Sequence, residues 1–408
     1  MQLARVGHHM RQCGATGDDG ASLPTISETD VSMQRRIVYL VTEDWYFLSH
    51  RLPMARAARD VGFDVHVATR LVDGRGAIEA EGFSAHPLSW RRGSTSPLAN
   101  AMAIRELRRL FRDLQPAIVH NIAMKPTVLG SLSALRLRDT AVVNSIAGLG
   151  TLFLGQSTAN RLLRTALEHT LSRLMNRPRT RVVVQNPDDQ QRFVELGTKP
   201  SQIVLIPGSG VDTDLIRATR EPPPPIKAAF VGRMLEDKGL RCLLRAHELL
   251  RTRGIELELI LAGAPDPENS SSIGADELRT WSKLPGIEWR GHIDDIDALW
   301  REVHFAVLPS RREGMPLSLL EAASAGRAMV ASDAPGCREI AREGETALTH
   351  RVDDARALAE ALARMATDTE LRLRLATRAR QLVEERFSAR AIGEQTVALY
   401  ESLLTEST

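Results

Sequence analysis

The stretch S-R-R-E-G-M-P-L-S-L-L-E-A-A-S-A, residues 310–325, joins a strand end, a loop and a helix. The apolar run before it, residues 304–308, stops at Pro309 and predicts a buried strand. From Leu317 onward the apolar residues recur with helical spacing, and Pro316 suits a first helical turn because proline lacks an N–H that would be unpaired there. Strand, loop and helix in this order predict one unit of an open α/β sheet, which binds ligands at the carboxyl ends of its strands.

Two carboxylates in this stretch stand eight positions apart. Glu313 lies in the predicted loop, and Glu321 lies on the helix that follows it. Gly314 and its neighbours offer backbone N–H donors beside the two acceptors. This set suits a ligand with many hydroxyl groups, with Glu321 on one diol and Glu313 on another. Either glutamate alone would fit a charged loop or a helix-cap acid equally well.

Composition sets the class of protein. A chain of 408 residues is too long for one core and favours two domains. The hydrophobic content of 43% and charged content of 25% are ordinary for a globular protein, and a net charge of +2 gives no general case for nucleic acid. Three scattered cysteines argue against a zinc or disulfide framework and fit a reducing cytoplasm. No apolar run reaches the roughly 20 residues of a membrane span, and the first residues lack a signal peptide's apolar core.

The order of predicted elements is that of a doubly wound parallel sheet, repeated once. Strands and helices alternate from Arg35 to Ile206, stop at the proline-rich linker, and restart at Lys227. The predicted units are a disordered extension at 1–34, a first domain at 35–206, a linker at 207–226, a second domain at 227–387, and residues 388–408, a final helix that could return to the first domain.

The first loop of the first domain, T-E-D-W-Y-F at residues 42–47, is aromatic rather than glycine-rich. It therefore does not predict the usual phosphate-binding loop, and it better suits the binding of an acceptor substrate. Trp45 and Phe47 are equally consistent with packing over the sheet edge. The residues that we assign to acceptor binding are Trp45, His50 and Lys125.

His120 ends a predicted strand of the first domain, where a site residue is expected. A single histidine such as His120 is equally consistent with a structural role. His50 is the rival candidate for the same chemistry.

A second ligand signal lies in F-V-G-R-M-L-E-D-K-G, residues 230–239, which follows a strand and opens a helix. Gly232 permits close approach of a ligand to the backbone, and a helix N-terminus favours anions. Arg233 adds a forked donor and Lys238 a point charge, which together match a diphosphate.

These motifs resemble those of one enzyme family. The E-G-x-P-x(4)-E pattern beginning at Glu313 and the G-R-x(4)-K-G pattern beginning at Gly232 are similar to the signatures of family 4 glycosyltransferases, and the resemblance covers residues 36–404. It implies the GT-B fold, in which two Rossmann-like domains face a cleft. The first domain, 35–206, would then bind the acceptor, and the second, 227–387, would bind the sugar nucleotide. The stretches L-S-H-R-L-P-M-A (48–55) and V-H-N-I-A-M-K-P (119–126) resemble the subgroup that acts on polyprenyl-diphosphate-linked sugars in polysaccharide and glycan assembly.

The resemblance also implies roles for single residues. Catalytic roles fall on His120, Arg233, Lys238 and Glu313. Donor binding is implied for Gly232, Arg233, Lys238, Arg290, His292, Ile293, Glu313, Gly314, Met315, Pro316, Leu317 and Glu321. The implied reaction moves a sugar from a nucleoside-diphosphate sugar, UDP being favoured, to a lipid-linked or saccharide acceptor with retention at the anomeric carbon.

The same resemblance implies no metal and no other cofactor, because Arg233 and Lys238 take the place of a cation. The expected partners are the nucleotide sugar and its acceptor, with no nucleic acid. A cytoplasmic enzyme with peripheral contact to the inner face of the membrane is the expectation, and the basic amphipathic stretch 158–181 would serve that contact unless it packs in the core. The loop 333–339 matches the family's stretch near the diphosphate less strictly.

Three other classes share parts of this pattern. A sugar-nucleotide epimerase would need acids in the cleft, and a cofactor-dependent phosphorylase would need a Schiff-base lysine that is not obviously placed here. A scaffold that binds sugar nucleotide without turnover is the alternative outside enzymes. Only the altered first loop favours the scaffold.

Overall fold

The computed structural model describes residues 35–94, 96–146 and 168–406, which form two parallel sheets covered by helices on both faces. The predicted extension 1–34, the loop at 147–150 and residues 158–167 of the basic stretch lie outside these ranges. The two separate sheets confirm the predicted α/β class.

The first sheet has seven strands in the order β3-β2-β1-β4-β5-β6-β7, all parallel. The break in order beside β1 puts the ends of β1 and β4 at the centre of the sheet's carboxyl edge. Its strands are β1 (Arg36–Glu43), β2 (Asp64–Arg70), β3 (Ser84–Pro87), β4 (Ile118–Ile122), β5 (Ala141–Ser145), β6 (Thr180–Val184) and β7 (Ile203–Leu205). The α-helices between them are Asp44–His50, Leu52–Asp60, Arg75–Ala80, Pro97–Leu114, Met124–Ser133 and Pro187–Glu195.

The second sheet has six parallel strands in the order β10-β9-β8-β11-β12-β13. They are β8 (Lys227–Val231), β9 (Glu258–Ala262), β10 (Ile287–Gly291), β11 (Phe305–Leu308), β12 (Ala328–Ser332) and β13 (Ala347–His350). The α-helices are Leu240–Thr252, Ala275–Trp281, Ile296–Glu302, Leu317–Ser324, Cys337–Ile340, Ala355–Thr367, Thr369–Leu382 and Ala389–Thr405. Nearly continuous apolar strands form the core, as expected where helices cover both faces.

The loop after β1 differs from its prediction. The sequence predicts one helix over 48–61, but the structure has two helices that meet at Arg51. The Asp44 carboxylate explains the early start, because it accepts backbone N–H groups from Trp45 and from residues 72–74. These donors outweigh burial and lower the pKa of Asp44.

Four short elements are absent from the predicted set. They are the edge strands β3 and β13 and the helices Arg75–Ala80 and Cys337–Ile340. Each is four to six residues long, which is too short for a clear hydrophobic period.

The chain crosses between the domains twice, and the two crossings lie side by side. Val211 pairs with Ser388, with hydrogen bonds from Val211 N to Phe387 O (3.0 Å) and from Ala389 N to Val211 O (2.8 Å). After the second crossing, the last helix packs on the first domain, where the Tyr400 hydroxyl is 3.0 Å from that of Tyr39.

The proline-rich linker is only partly exposed. Arg372 is 1% exposed and pairs with both oxygens of Glu221 at 2.7 and 2.8 Å. The buried Arg327 donates to Thr219 O at 2.8 Å. These contacts fix residues 219–221 to the second domain.

Candidate active site

The loop between β11 and the helix Leu317–Ser324 holds Glu313 against Lys238. Lys238 Nζ lies 2.5 Å from Glu313 Oε1, and both side chains are largely buried. Lys238 ends a 3-10 turn, Glu236–Lys238, that opens the helix after β8. The two sequence motifs therefore meet at the carboxyl edge of the second sheet.

Gly336 sits directly behind this loop, in the segment after β12. Its φ is +79°, and a Cβ there would lie 2.4 Å from Glu313 O and 2.6 Å from Gly314 O. The loop at Glu313 can approach this closely only because residue 336 has no side chain.

Arg233, the other predicted diphosphate ligand, is held by Asp266 in the loop after β9 at 2.6 Å. The same carboxylate pairs with Arg92 of the first domain, also at 2.6 Å. Both arginines outweigh burial and lower the pKa of Asp266. The ion pairs continue into the first domain as a chain of alternating charges: Arg233, Asp266, Arg92, Glu268, Arg70 and Glu43.

The first domain also contacts the loop at Glu313 from the opposite side. Asn186 Nδ2 donates to Gly314 O at 2.8 Å, and its side-chain oxygen caps the helix Pro187–Glu195. The fully buried Asp189 pairs with Arg312. The loop is thus fixed by both domains.

His50 of the first domain lies near the two cations of the second. Its ring stacks on Tyr46 with centroids 4.4 Å apart, and Ser49 Oγ is 2.6 Å from Nδ1. Burial lowers the pKa of His50 to about 3, with further lowering by Arg51, Arg233 and Lys238. The imidazole is therefore neutral at physiological pH and available as a hydrogen-bond acceptor.

Glu321 faces a cleft of about 550 Å³ between the domains. Leu317 and Ile296 line it from the second domain, and Leu52 and Arg56 line it from the first. Burial raises the pKa of Glu321 to about 8. The structure thus brings Glu321 to the cleft with a carboxyl group that is mostly protonated at neutral pH.

This pKa predicts a pH-dependent effect of Glu321→Gln. Because the folded protein holds a proton that the unfolded chain releases near pH 4.3, the stabilisation is full below that pH and is lost as pH rises through 8. We follow the Tm of the variant and of wild type from pH 5 to pH 9. Over this range we expect the stability of the variant relative to wild type to rise by an amount equivalent to on the order of 2–4 kcal/mol. Glu360→Gln, on the helix Ala355–Thr367, is the control. Parallel curves for wild type and Glu321→Gln would contradict the buried, protonated carboxyl.

His120 does not reach the cleft. It is 1% exposed, and its ring nitrogens lie 2.6 Å from Tyr400 OH and 2.6 Å from Ser145 Oγ. Burial, and then the charge of Arg51, lower the pKa of His120. In this structure both nitrogens are occupied by protein groups.

The residues predicted to read the base are separate from the Lys238–Glu313 pair. Arg290 pairs with Glu302 at 2.6 Å and with Glu288 at 2.9 Å, so its N–H donors are engaged. The His292 side chain is 76% exposed, and Ile293 packs partly on the core.

The predicted acceptor residues are spread over the first domain. Trp45 is 45% exposed at the surface. Lys125 Nζ donates to the carbonyls of Arg91 and Ser94 at 2.5 and 2.9 Å, and burial lowers its pKa. Of the three, only His50 is electrostatically coupled to Arg233 and Lys238.

Sequence reasoning missed several residues that shape this site. Asp266 follows a strand at the ligand edge, and that position is a usable signal. At Asn186 the sequence indicates only the start of a helix. Nothing in the sequence indicates that Arg92 crosses to the other domain.

In residues 35–94, 96–146 and 168–406, no three His, Cys, Asp or Glu side chains are grouped to hold a metal. Over the same ranges, no helix has the length and apolarity needed to cross a membrane.

Two known protein families match separate parts of this chain. The family described as glycosyl transferases group 1 matches residues 225–368, and the glycosyl transferase 4-like family matches residues 36–178. The chain belongs to the glycosyltransferases. The enzyme class predicted from the sequence, a transferase of EC 2.4, is therefore confirmed.

Full-length relatives support the same assignment. This glycosyltransferase is 20% identical to the capsular polysaccharide biosynthesis glycosyltransferase CapM of Staphylococcus aureus, over 91% of this chain and 98% of that one. It is 23% identical to the N,N'-diacetylbacillosaminyl-diphospho-undecaprenol alpha-1,3-N-acetylgalactosaminyltransferase of Campylobacter jejuni, over 88% and 98%.

Solved structures show the fold. Anabaena HepE, crystallised with UDP-glucose, superposes with a TM-score of 0.72 at 17% identity, covering 90% of this chain and 99% of that one. Sucrose-phosphate synthase of Thermosynechococcus elongatus gives 0.76 at 19% identity, covering 91% and 100%. The predicted GT-B fold is confirmed.

Proposed function

We propose that this glycosyltransferase moves a sugar, with retention at the anomeric carbon and without a metal, from a UDP-sugar to a lipid-linked diphosphate saccharide. The contact between Lys238 and Glu313 carries the proposal. In this proposal Lys238 is the cation for the leaving diphosphate, and Glu313 is the carboxylate for the hydroxyls of the donor sugar.

Two further residues of the second domain, Arg233 and Glu321, provide the remaining donor contacts in this proposal. Arg233 supplies a forked donor to the diphosphate, and Glu321 accepts from the ribose hydroxyls at the cleft. The choice of UDP is supported by HepE, whose structure contains UDP-glucose.

In the proposed reaction, the acceptor hydroxyl oxygen bonds to the anomeric carbon while the bond from that carbon to the diphosphate oxygen breaks on the same face. The hydroxyl proton passes to the departing diphosphate. Arg233 and Lys238 stabilise the negative charge that develops there, which is the kind of contribution that usually dominates catalysis.

The lipid-linked acceptor is supported by the Campylobacter relative, whose name contains a diphospho-undecaprenol. An acceptor of this class would bring the enzyme to the cytoplasmic face of the membrane. Arg92, which pairs with Asp266, and His50, which lies near Arg233 and Lys238, supply a charged and a polar group from the first domain.

The experiment is a thermal-shift panel of UDP, GDP, ADP and dTDP, with and without EDTA. A ligand at 100 times its Kd adds about 2.7 kcal/mol of stability. We expect a shift with UDP that EDTA does not change and that Lys238→Ala removes.

Two outcomes would contradict parts of the proposal. A shift that EDTA abolishes would show that the donor needs a metal. Absence of any shift would remove the donor site and favour a different role for this cleft.

A further inference from the structure

Arg51 is a buried cation without a counter-ion. It is 2% exposed, and its Nε has no hydrogen-bond partner. Within the described part of the chain, no carboxylate forms an ion pair with it; its guanidinium lies over the Tyr46 ring at 5.9 Å from the centroid. Burying an unpaired charge is costly, so such a group needs a reason to persist.

The titratable groups around Arg51 supply no negative charge. Burial and the arginine itself lower the pKa of His120, so that ring stays neutral. Burial raises the pKa values of Tyr39 and Tyr400, so both phenols also stay neutral. The charge of Arg51 is therefore uncompensated by these neighbours.

Arg51 lines a small, mostly apolar cavity, whose polar lining includes His120, Ser145 and Gln185 and which Gly208 also borders. Its volume of about 10 Å³ has room for one water-sized atom, such as a single phosphate oxygen. A Cβ at Gly208 would lie 2.6 Å from Met315 Cγ, so the cavity borders the loop that carries Glu313.

His50, the residue before Arg51, connects this cavity to the diphosphate cations. Its pKa is lowered by Arg51 on one side and by Arg233 and Lys238 on the other. Arg233 and Lys238 each have a carboxylate partner, whereas no carboxylate of residues 35–94, 96–146 and 168–406 pairs with Arg51. The first domain thus contributes an unpaired cation that acts on His50 together with Arg233 and Lys238.

We propose that Arg51 forms a phosphate-binding subsite on the first domain, which receives one oxygen of a phosphate group carried by a substrate. This inference rests on the proposed function and deepens it. The phosphate belongs either to the diphosphate of the lipid-linked acceptor or to that of the nucleotide donor, and the two are distinguished by experiment.

The test uses the full chain and compares wild type with Arg51→Gln by calorimetric titration. One arm titrates UDP as the donor probe, and the other titrates farnesyl diphosphate as the acceptor probe. We expect one of the two affinities to fall by about 10- to 100-fold, since a charge-assisted hydrogen bond is lost. The affected probe identifies the source of the phosphate.

Stability separates this role from a structural one. Because Arg51→Gln removes an uncompensated buried charge, we expect the Tm of the ligand-free protein to stay unchanged or rise. Arg51→Lys keeps the charge and should retain part of the affinity. Arg59→Gln, on the helix that begins directly after Arg51 but paired with Asp60 at 2.8 Å, is the matched control and should change neither affinity.

Equal affinities of wild type and Arg51→Gln for both probes would overturn the inference, as would a wild type that binds neither probe. Failure of the proposed function looks different, because wild type would then bind no UDP while the farnesyl diphosphate arm still tests Arg51. A Tm that falls in Arg51→Gln with both affinities intact would assign the arginine to folding alone.

Discussion

Replacing Lys238 with methionine is expected to lower kcat by about 100- to 1,000-fold, because the departing diphosphate loses a preorganised cation. The loss should exceed the change in KM, since the charge on the leaving group grows in the transition state. Steady-state transfer kinetics with a UDP-sugar donor provide the measurement.

Glu313, the ion-pair partner of Lys238, allows a second test of the same contact. Lys238→Met leaves Glu313 partly buried without its cation, so Lys238→Met/Glu313→Gln should be more stable than the single variant. Lys227→Met, which breaks ion pairs with Glu258 and Glu302 at 3.4 Å away from the site, is the control and should retain activity. A Lys238→Met enzyme within threefold of wild type would remove this lysine from the mechanism.

Gly336→Ala is expected to reduce kcat/KM by about 100-fold, although it adds only one methyl group and changes no charge. The new Cβ would collide with the carbonyls of Glu313 and Gly314, so the loop must move. A displacement of about 1 Å in a positioned catalytic group can cost this much.

Gly344→Ala is the matched control. Gly344 also has a left-handed backbone, with φ of +68°, but no heavy atom lies within 4 Å of the position of its Cβ. It should cost only the backbone strain of about 1–2 kcal/mol and leave kcat unchanged. Equal kinetics for the two variants would show that the close approach behind Glu313 has no role.

Most of the fold was predictable because its patterns are local. The long helices Pro97–Leu114 and Leu240–Thr252 are amphipathic, and central strands such as β8 and β11, although short, are continuous buried apolar runs. The early helix start at Asp44 was not predictable, because it depends on Asp44 accepting hydrogen bonds from residues 72–74, about 30 positions away. The break at Arg51 has a local signal, since Pro53 lies in the first turn of the second helix and cannot continue the first one.

Only the part of the site that the second domain contributes was predictable from the sequence. Lys238 and Glu313 could be paired from two motifs, since both follow strands whose ends share an edge. The places of Arg92, Asn186 and Arg51 depend on how the two domains face each other, and a single sequence contains no signal for that. For His120 the sequence signal is present but the expected role is not supported by the contacts. Its position at a strand end predicts a site residue, whereas in the structure Tyr400 and Ser145 occupy both of its ring nitrogens.

The last helix has a consequence for how the chain is made. Ile392, Leu399, Tyr400 and Leu403 belong to the hydrophobic core of the first domain, whose last strand ends at Leu205. About 200 residues must be synthesised between that strand and the end of the helix, which takes roughly 10–40 s at roughly 5–20 residues per second. During this time one apolar face of the first domain is uncovered on the ribosome. The half of the protein that is made first is therefore the half that finishes folding last.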